Sequence, residues 1–545
     1  MEVTKRNFTQ LLPQILQAIG DCSFVALDFE FSGIFNQKLR PASSYADGDL
    51  SLQKRYEEVK QAAEEYQILQ VGITLVTEDS ENGTYLLRPY NIPLSPLLDP
   101  RLEVERKWSF QNSDGVPYIS RKEEEDAMVR VRQHNSAISP INLDTLAADQ
   151  AEFLRQVRQD VKEWIEKDGP KDGYLNIPKP AGMTDAHKLP LELDNYQKRL
   201  VHQIINSEYP GYVSVGKKSF VQIIPYDAER ENKVTEKKLQ IVRANITSQK
   251  GLSWVIEALT GGELARLDLR LLWRPDGMFT AAEGSMLTKR SEALREKLRA
   301  GPPVLVGHNL FTDLVNFYKC FIGDLPGRVE DFQQAIHELF PVVVDTKYMA
   351  THGGVLRDAF SALSKLNETL GAREVPNFET DSEHSAYIAN APQHEAGYDS
   401  LITAQVFLKL AVQLFETSTS REALIHRTNG DATEIDLMDL STEPEEPTKN
   451  DTKETETQKK LVYGHATKFD LLLSMEDEES SSGSTGPSSE QESLIVQKVI
   501  EGKLLPRFDD EFWAEYVNKL RVFGTSEEVC DLCGRPAALD SKIIN

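Results

Sequence analysis

Cysteine is scarce in this chain, with four residues in 545. So few thiols argue against a disulfide framework and for a reducing environment inside the cell, in the nucleus, the cytoplasm or both. The sequence also lacks any run of about 18 apolar residues, which excludes a membrane-spanning helix. Residues 1–20 are amphipathic and interrupted by polar side chains, so they are not a secretory signal. We therefore expect an intracellular protein with no membrane partner.

Basic residues are outnumbered, at 61 against 86 acidic ones, and the formal net charge is −25. Taken as a sum, this deficit argues against a nucleic-acid partner, because phosphate binding favours a basic surface. The charge is unevenly distributed, however. Residues 431–494 hold 17 acidic and 5 basic side chains, whereas residues 171–250 hold 13 basic and 9 acidic ones. Much of the net charge therefore belongs to one stretch, and the sum does not identify the partner.

The acidic stretch, residues 431–494, is rich in Ser, Thr, Glu and Pro. Such a composition buries too little apolar surface to offset chain entropy, so we predict a disordered acidic linker. Within it, the more apolar Leu461–Met475 is a candidate motif for binding a protein partner. Residual hydrophobicity in a linker is the alternative.

Strand-like and helix-like segments alternate through the rest of the sequence, which predicts an α/β fold with a mixed sheet flanked by helices. Runs of β-branched residues predict strands at Phe24–Phe29, Ile68–Val76, Tyr85–Pro89, Val304–Gly307 and Val342–Asp345. Apolar residues at three- and four-residue spacing predict helices at Leu52–Tyr66, Ala151–Lys167, Leu252–Leu259, Met286–Arg299 and Ala396–Glu416.

The domain organisation follows from these segments and from composition. We expect one main domain made of residues 1–170 and 246–430, interrupted by a small α+β module at residues 171–245 whose front edge is marked by Gly and Pro. Beyond the acidic linker, residues 495–545 form a short C-terminal segment with one helix predicted at Asp509–Leu520.

Two acidic residues end the first predicted strand. Asp28 and Glu30 follow an apolar run, and side chains two residues apart on a strand point to the same face. Placing two like charges side by side is costly unless a cation neutralises them. A polar strand end with two solvated acids is the alternative.

Two further segments place polar groups at the ends of core elements. Asp313 follows an apolar strand and is expected in the first turn of a helix, where a carboxylate also serves as a cap. His394 and Asp399 open the strongest predicted helix, where an imidazole and a carboxylate could lie over one site. A histidine at a helix start is also found as a cap or a surface residue.

Together, these residues indicate a chemistry that none of them indicates alone. Asp28, Glu30, Asp313 and Asp399 offer four hard oxygen ligands, which suit Mg²⁺ or Mn²⁺ better than zinc. Two such ions about 4 Å apart stabilise the attacking and leaving oxygens of a phosphodiester displacement. His394 is the residue that titrates near neutral pH and would act as general base. The set predicts a hydrolase of phosphodiesters.

The order and wording of these motifs resemble a known family. Asp-x-Glu, then Gly-His-Asn-x-x-x-Asp, then His-x-x-x-x-Asp is the order of DEDD exonucleases whose last motif contains histidine. The segments Asp28–Ile34, Gly307–Asn309, Asp345–Ala350 and His394–Asp399 look like those of the poly(A)-specific ribonuclease (PARN) family. The resemblance covers about residues 1–417, with an interruption where that family also carries an insertion.

The resemblance implies a ribonuclease H-like fold, two Mg²⁺ ions and 3′-to-5′ exonuclease action on single-stranded RNA, with poly(A) or other 3′ tails as substrate. It assigns metal binding to the four acids and the general base to His394. It also assigns RNA contacts to Phe31, Ile34 and Lys347, and a homodimer to the protein. Stacking of a base on Phe31 is physically reasonable because it tolerates any sequence. A core aromatic and a solvated lysine are the alternatives.

The inserted module resembles the Arg-x-x-x-His single-strand-binding module of the same family. The arginine position holds Lys198, with Arg199 next to it, and the histidine position holds His202. Lysine keeps the charge but loses the bidentate contact with phosphate. In the family, an RNA-recognition domain follows the nuclease domain, whereas this chain has the acidic linker there. Strict poly(A) specificity is therefore open.

Three other functions remain as alternatives. Relatives without the RNA-recognition domain include trimmers of small-RNA 3′ ends. A catalytically weak RNA-binding scaffold of the same fold is the second, although all five catalytic positions are filled. A DNA proofreading exonuclease shares the acids but not the Ser32–Ile34 wording or the insertion.

Two further features of the sequence lie outside the predicted catalytic set. Asp345 ends a strand, and we expect it to support the turn that presents Lys347 and not to bind metal. Cys530 and Cys533 form half of a zinc knuckle, but no second pair completes the four ligands that zinc needs.

Overall fold

The structure is a computed structural model. It describes residues 1–34, 50–97, 112–133, 141–142, 146–167, 173–179, 189–274, 277–355, 362–385, 387, 394–430 and 489–534. Leu461–Met475 and the expected linker up to residue 488 lie outside these residues, so their predicted disorder and partner binding stay predictions. Residues 489–494 were expected in the linker, but they belong to a helix.

The strands expected from the sequence are present, each within a few residues of its expected bounds apart from the longer third one. In chain order the strands are β1 Phe24–Phe31, β2 Ile68–Asp79, β3 Thr84–Pro96, β4 Val116–Tyr118, β5 Leu175–Ile177, β6 Tyr212–Gly216, β7 Val221–Pro225, β8 Val304–Gly307, β9 Val343–Asp345, β10 Asn377–Thr380, β11 Lys519–Arg521 and β12 Val529–Asp531.

The helices form where polar caps and amphipathic spacing favour them. In chain order they are α1 Phe8–Asp21, α2 Leu52–Glu65, α3 Arg121–Gln133, α4 Ala148–Lys167, α5 Asn195–Glu208, α6 Ala228–Gln249, α7 Ser253–Leu259, α8 Leu269–Trp273, α9 Ala281–Arg299, α10 Phe311–Phe317, α11 Val329–Leu339, α12 Thr346–His352, α13 Leu363–Leu370, α14 Ala396–Glu416, α15 Thr419–Gly430 and α16 Ser489–Ile500. Among the described residues, no helix combines the length and apolarity needed to cross a membrane.

The described residues form two compact units. The first comprises those of Met1–Asp99, Glu105–Glu123 and Thr247–Asn545, and the second those of Pro100–Val104 and Glu124–Ile246. The second unit contains the three-stranded sheet β5-β7-β6 and is an α+β body.

The insertion begins earlier than the expected residue 171. Phe153 and Val157 of α4 belong to the same buried core as Leu200 and Ile204 of α5, so this helix is part of the second unit. The amphipathic pattern of α4 showed that one face is buried, but it did not specify the partner of that face.

The first unit is built on a mixed sheet, as expected. Seven strands of the described chain form it, in the order β10-β3-β2-β1-β8-β9, with β4 added beside β3. β1 pairs antiparallel with β2 and parallel with β8, and β8 pairs parallel with β9. The parallel arrangement brings the carboxyl ends of β1, β8 and β9 to the same edge of the sheet.

Alternation along β1 decides which way its acids face. Val25 and Leu27 belong to the core that also contains α1, whereas Phe24 and Ala26 belong to the core that contains α14. Phe24 packs edge-on against Phe407 of α14, with ring centres 4.8 Å apart. Because the period of a strand is two, Asp28 and Glu30 continue the face that looks toward α14.

Residues 489–534 also belong to the first unit. Phe512 and Trp513 are buried in the core with α14, and Leu520 and Val522 are buried in the core on the other face of the sheet. The expected helix Asp509–Leu520 was wrong, because this stretch forms a short 3₁₀ turn followed by β11. Tertiary pairing has overridden a local helical pattern here.

A glycine allows α14 to approach the sheet. Gly72 of β2 pairs with Asp28, and a Cβ added at Gly72 would overlap the backbone carbonyl of Ala396 at the start of α14. Only a residue without a side chain fits there, so the distance between β1 and the first turn of α14 depends on Gly72.

We expect Gly72→Ala to lower the free energy of unfolding by about 1–3 kcal/mol, because the new methyl group must push strand and helix apart. Gly327→Ala is the control, since an added Cβ there meets nothing within 4 Å. Urea unfolding of both variants measures the difference. Equal stability would show that α14 adjusts at no cost.

Candidate active site

The first two acids lie at the end of β1. Asp28 and Glu30 are half-buried, and the register of β1 against β2 shifts between Glu30 and Phe31. Such an irregularity ends regular pairing and redirects the residues that follow. Phe31 and Ile34 therefore leave the sheet beside the two acids.

The third acid is placed by the turn between β8 and α10. Asp313 lies in the first turn of α10, as expected from the sequence. The turn contains Asn309 with φ of 61°, in the left-handed region that residues other than glycine rarely adopt. The N–H of Asn309 donates to the Asp345 carboxylate over 2.8 Å, which holds the turn in this conformation.

The last motif closes the site from α14. His394 precedes this helix with φ of 64°, and Asp399 lies in its first turn. Ligand atoms of Glu30, His394 and Asp399 all lie within 4.8 Å of one another. Two left-handed residues, Asn309 and His394, thus flank the acids, and strained backbone of this kind is concentrated at functional sites.

Burial, together with nearby negative charges, raises the pKa of each of the four carboxyls. Burial is the largest cause at Asp28, and the charges of Asp399 and Glu30 add to it. Burial and the charge of Asp28 likewise raise the pKa of Asp313. At Glu30 and at Asp399, burial raises the pKa, while the nearby His394 lowers it. The sequence-predicted set is therefore one cluster of interacting groups.

The cluster fits a divalent cation. Burial and nearby negative charges make the four carboxylates costly to ionise, and hard divalent cations would offset that cost. Oxygen ligands are those that Mg²⁺ and Mn²⁺ prefer. Asp28, Glu30, Asp313 and Asp399 are the residues that would hold such ions.

Asp28 and Asp313 also line a cavity of about 360 Å³, together with Phe31 and Ile34. Other residues of the cavity lining were not predicted, because no motif in the sequence marks them. We call them the opposite wall, and they are Arg55, Val59 and Ala62 of α2 and Thr312 and Asn316 of α10. Arg55 is mostly buried and forms an ion pair with Glu58 at 3.1 Å.

Lys347 lies inside the protein. Its side chain is 4% exposed, so it is not a solvated surface lysine. Burial together with the charge of Lys347 lowers the pKa of His308, another residue of the cavity, to about 3. Contact of Lys347 with RNA stays a prediction.

Asp345 supports the site, and this expectation is confirmed. Its carboxylate is fully buried and accepts from the N–H of Lys347 over 3.0 Å and from that of Asn309. Burial raises the pKa of Asp345 to about 6, and the backbone N–H groups act against that rise. A carboxylate engaged in this way organises the two neighbouring turns.

The expected RNA-binding residues of the insertion lie on α5 in the second unit. Lys198 donates to the backbone carbonyl of Lys218 over 2.6 Å, and His202 Nδ1 shares a hydrogen bond of 2.8 Å with Ser214. Burial, with a smaller contribution from Lys198, lowers the pKa of His202. Arg199 lies between these two residues in the sequence and is half-buried.

The cysteine pair does not form a metal cluster in the described part of the chain. Cys530 is buried and accepts a hydrogen bond from Gln333 over 3.4 Å, and burial raises the pKa of its thiol to about 12. A thiol so far from ionisation is a packing residue, since zinc binds the thiolate. Cys533 is exposed.

Comparisons relate this chain to known ribonucleases. A family model described as CAF1 family ribonuclease matches residues 3–407. Poly(A)-specific ribonuclease PARN of Xenopus laevis is 23% identical over 450 residues, which cover 75% of this chain and 62% of that protein. The pre-piRNA 3′-exonuclease trimmer of Bombyx mori is 24% identical over 438 residues, covering 75% of this chain and 71% of that protein.

Among solved structures, Pop2p of S. pombe in its Mg²⁺- and Mn²⁺-bound form aligns with 77% of this chain and 94% of its own, at 14% identity and a TM-score of 0.30. The chain spans about three fifths of the length of the first PARN relatives that it matches, 62% and 59%.

We expect Mg²⁺ to raise the Tm of the protein more at pH 7 than at pH 5, because carboxyls with raised pKa values are more protonated at the lower pH. Without a cation, we expect the carboxyls to have the opposite effect, with a larger contribution to stability at low pH. A carboxyl whose pKa rises on folding stabilises the folded state below its unfolded pKa of about 4 and loses that contribution as pH rises through its folded pKa. Scanning fluorimetry in Mg²⁺ and in EDTA measures both trends.

Asp28→Asn tests the same repulsion at one position. It should raise the Tm in EDTA by roughly 2–4 °C and reduce the shift caused by Mg²⁺. Asp324→Asn is the control, because that side chain is 75% exposed and lies outside the cluster. An unchanged Mg²⁺ shift in Asp28→Asn would contradict the assignment of the cluster to cations.

Proposed function

The chain belongs to the CAF1 ribonuclease family, and from this premise we propose that it is a 3′-to-5′ exoribonuclease that depends on divalent metal ions and acts on single-stranded RNA 3′ ends. Its products would be nucleoside 5′-monophosphates. The observation that carries the proposal is the convergence of four interacting carboxyls and His394 beside one open cavity.

The four acids have a common role in this proposal. Asp28, Glu30, Asp313 and Asp399 would hold two Mg²⁺ ions, or Mn²⁺ in their place. When bound, such ions neutralise the phosphate and stabilise charge on the attacking and leaving oxygens. The acids come from three separate core elements, β1, α10 and α14, so the positions at which they would hold the ions are fixed relative to one another.

His394 is the residue suited to accept a proton from the attacking water. It is exposed at the edge of the cluster and lies within 4.8 Å of Glu30 and Asp399 by its ligand atoms. Its backbone is left-handed, with φ of 64°, just before α14 begins.

The cavity provides the binding site for the terminal nucleotide. Phe31 offers a ring on which a base can stack, and the 65% exposed Ile34 offers apolar contact next to it. Stacking does not depend on the identity of the base, which suits an enzyme that removes successive nucleotides. Arg55 on the opposite wall places a guanidinium, the group best suited to phosphate, within the same cavity.

Poly(A) is the leading substrate in this proposal, and 3′ ends of small RNAs are the second. The chain is about equally similar to a poly(A)-specific ribonuclease and to a pre-piRNA trimmer. A homodimer remains a prediction.

The second unit is proposed to add affinity for RNA. Lys198 and Arg199 add positive charge on α5 to a chain that is acidic overall, and His202 lies one turn further along the same helix. Contacts of this kind supply affinity without sequence preference.

Asp28→Ala and His394→Ala test the catalytic assignment. Asp28→Ala should reduce hydrolysis of a 5′-labelled oligo(A) to background, and His394→Ala should lower kcat by about 10²–10⁴-fold, the usual contribution of a general base. Asp324→Ala and His426→Ala, at exposed positions, are the matched controls. Wild-type activity in Asp28→Ala would refute the proposal.

The substrate class is tested with the wild-type protein on oligo(A), oligo(U), mixed RNA and DNA, with and without Mg²⁺. We expect monophosphates from every RNA, with little or no product from DNA. Equal rates on DNA would favour a proofreading-type nuclease. RNA binding without hydrolysis would favour a scaffold.

Lys198→Ala with Arg199→Ala tests the second unit. The double variant should raise KM for oligo(A) while kcat stays unchanged, and each lost phosphate contact should flatten the dependence of log KM on log salt by about 0.7. Lys162→Ala is the control, because that exposed lysine is paired with Glu166 on another helix of this unit. A lower kcat with unchanged KM would place these residues in a structural role.

A further inference from the structure

The chain returns to the sheet of the first unit after the acidic linker. We call residues 519–531, with strands β11 and β12, the C-terminal hairpin. Just before it, Val517 pairs antiparallel with Val344 of β9. Asn518 continues this contact, because its N–H donates to the carbonyl of Val343 over 2.7 Å and its side-chain oxygen accepts from the N–H of Val343 over 2.9 Å. The outer edge of β9 is thereby covered, and an uncovered edge would expose unpaired backbone groups.

The hairpin supplies a further donor to Asp345. The N–H of Arg521 donates to Oδ2 of this carboxylate over 3.0 Å, while Asn309 and Lys347 donate to Oδ1. A buried carboxylate is costly unless hydrogen bonds satisfy it. The Asp345 side chain therefore connects the hairpin to two other segments. One is the turn before α10, the helix that carries Asp313, and the other is the first turn of α12.

Phe523 of the hairpin packs against the buried lysine. The ammonium of Lys347 lies 5.5 Å from the centre of the Phe523 ring, and the guanidinium of Arg521 lies 5.2 Å from the same centre. A cation over an aromatic face is attracted to it, and the attraction is greater where water is excluded. Phe523 thus helps to fix the ammonium beside His308, which lines the cavity with Asp28 and Asp313.

The loop of the hairpin reaches the opposite wall of the cavity. The backbone of Leu50 pairs with that of Thr525, and the N–H of Leu52 at the start of α2 donates to the carboxylate of Glu527 over 3.0 Å. A negative charge at the N-terminus of a helix stabilises that helix. Since α2 carries Arg55 and Val59, the hairpin contacts elements on both sides of the cavity.

We propose that the C-terminal hairpin is a positioning element of the active site, with Phe523 as the residue that orients Lys347 for contact with RNA. This inference rests on the proposed exoribonuclease function and deepens it. It concerns a part of the chain beyond the residues 3–407 that the family model matches. Phe523 acts through Lys347 and does not itself touch the reacting atoms.

Phe523→Leu in the full chain tests the proposal, since leucine keeps apolar bulk but removes the ring. We expect kcat/KM on oligo(A) to fall by about 3- to 30-fold, and Phe523→Tyr to retain wild-type kinetics. Phe508→Leu is the matched control. That ring is in the same C-terminal segment but stacks on Trp513, with centres 4.8 Å apart. It should lower the Tm and leave kcat/KM unchanged at temperatures well below unfolding.

A double-mutant cycle distinguishes an effect of Phe523 that acts through Lys347 from a general stabilisation of the fold by Phe523. If Phe523 acts through Lys347, then Phe523→Leu should cause no further loss of kcat/KM once Lys347→Met is present. Full additivity of the two losses, or wild-type kinetics in Phe523→Leu, would overturn the proposal.

Amide hydrogen exchange provides a readout that does not need activity. Arg521→Pro removes the N–H that donates to Asp345, whereas Arg521→Ala keeps it. That N–H points away from the β11–β12 ladder, in which Val522 donates to Glu528, so the hairpin loses no bond of its own. We expect exchange at Asn309 and Lys347 to be about tenfold faster in the proline variant than in the alanine variant.

Equal exchange in the two variants would show that the hairpin does not hold the site and would overturn the inference. An inactive wild-type protein with the expected exchange difference would instead refute the proposed function and leave the positioning role standing. The two failures are therefore distinguishable.

Discussion

Four carboxylates repel one another at the edge of the central sheet, and the structure depends on keeping them together despite that repulsion. Burial and nearby negative charges raise the pKa values of Asp28, Glu30, Asp313 and Asp399 above their ordinary range, so their ionised forms are unfavourable at this place. Flexible loops would separate such groups. Here they are attached to β1, α10 and α14, whose other residues are packed in two cores. The rigidity of the sheet thus maintains a site that is ready for a cation.

The same constraint explains the unusual backbone around the acids. Asn309 and His394 adopt left-handed conformations immediately before α10 and α14, and Gly72 lets α14 approach β2 without a side chain between them. Each feature carries a local cost, and each shortens the distance between acids on different elements. Asp345 compensates part of the cost by accepting the N–H groups of the turns that would otherwise open.

Several parts of the fold could be predicted because they rest on local properties of the chain. The alternation in β1 and the helical spacing of α14 follow from the side-chain periods of strand and helix, so both elements and the acids at their ends were predicted. The start of the insertion was not, because α4 is amphipathic whichever core it joins. The helix expected at Asp509–Leu520 failed for a related reason: pairing of Val517 with β9 outweighs local preference.

By itself, the sequence determined the chemistry of the site: which side chains carry charge, how they are spaced, and on which kind of element each one lies. Only the tertiary structure decided what surrounds them. Arg55 and Val59 of α2 became a cavity wall, Lys347 became a buried cation, and Phe523 became its neighbour. The contact between Leu52 and Glu527 spans 475 residues of sequence. Such contacts depend on which distant segments are buried against each other, and a local sequence pattern does not contain that information.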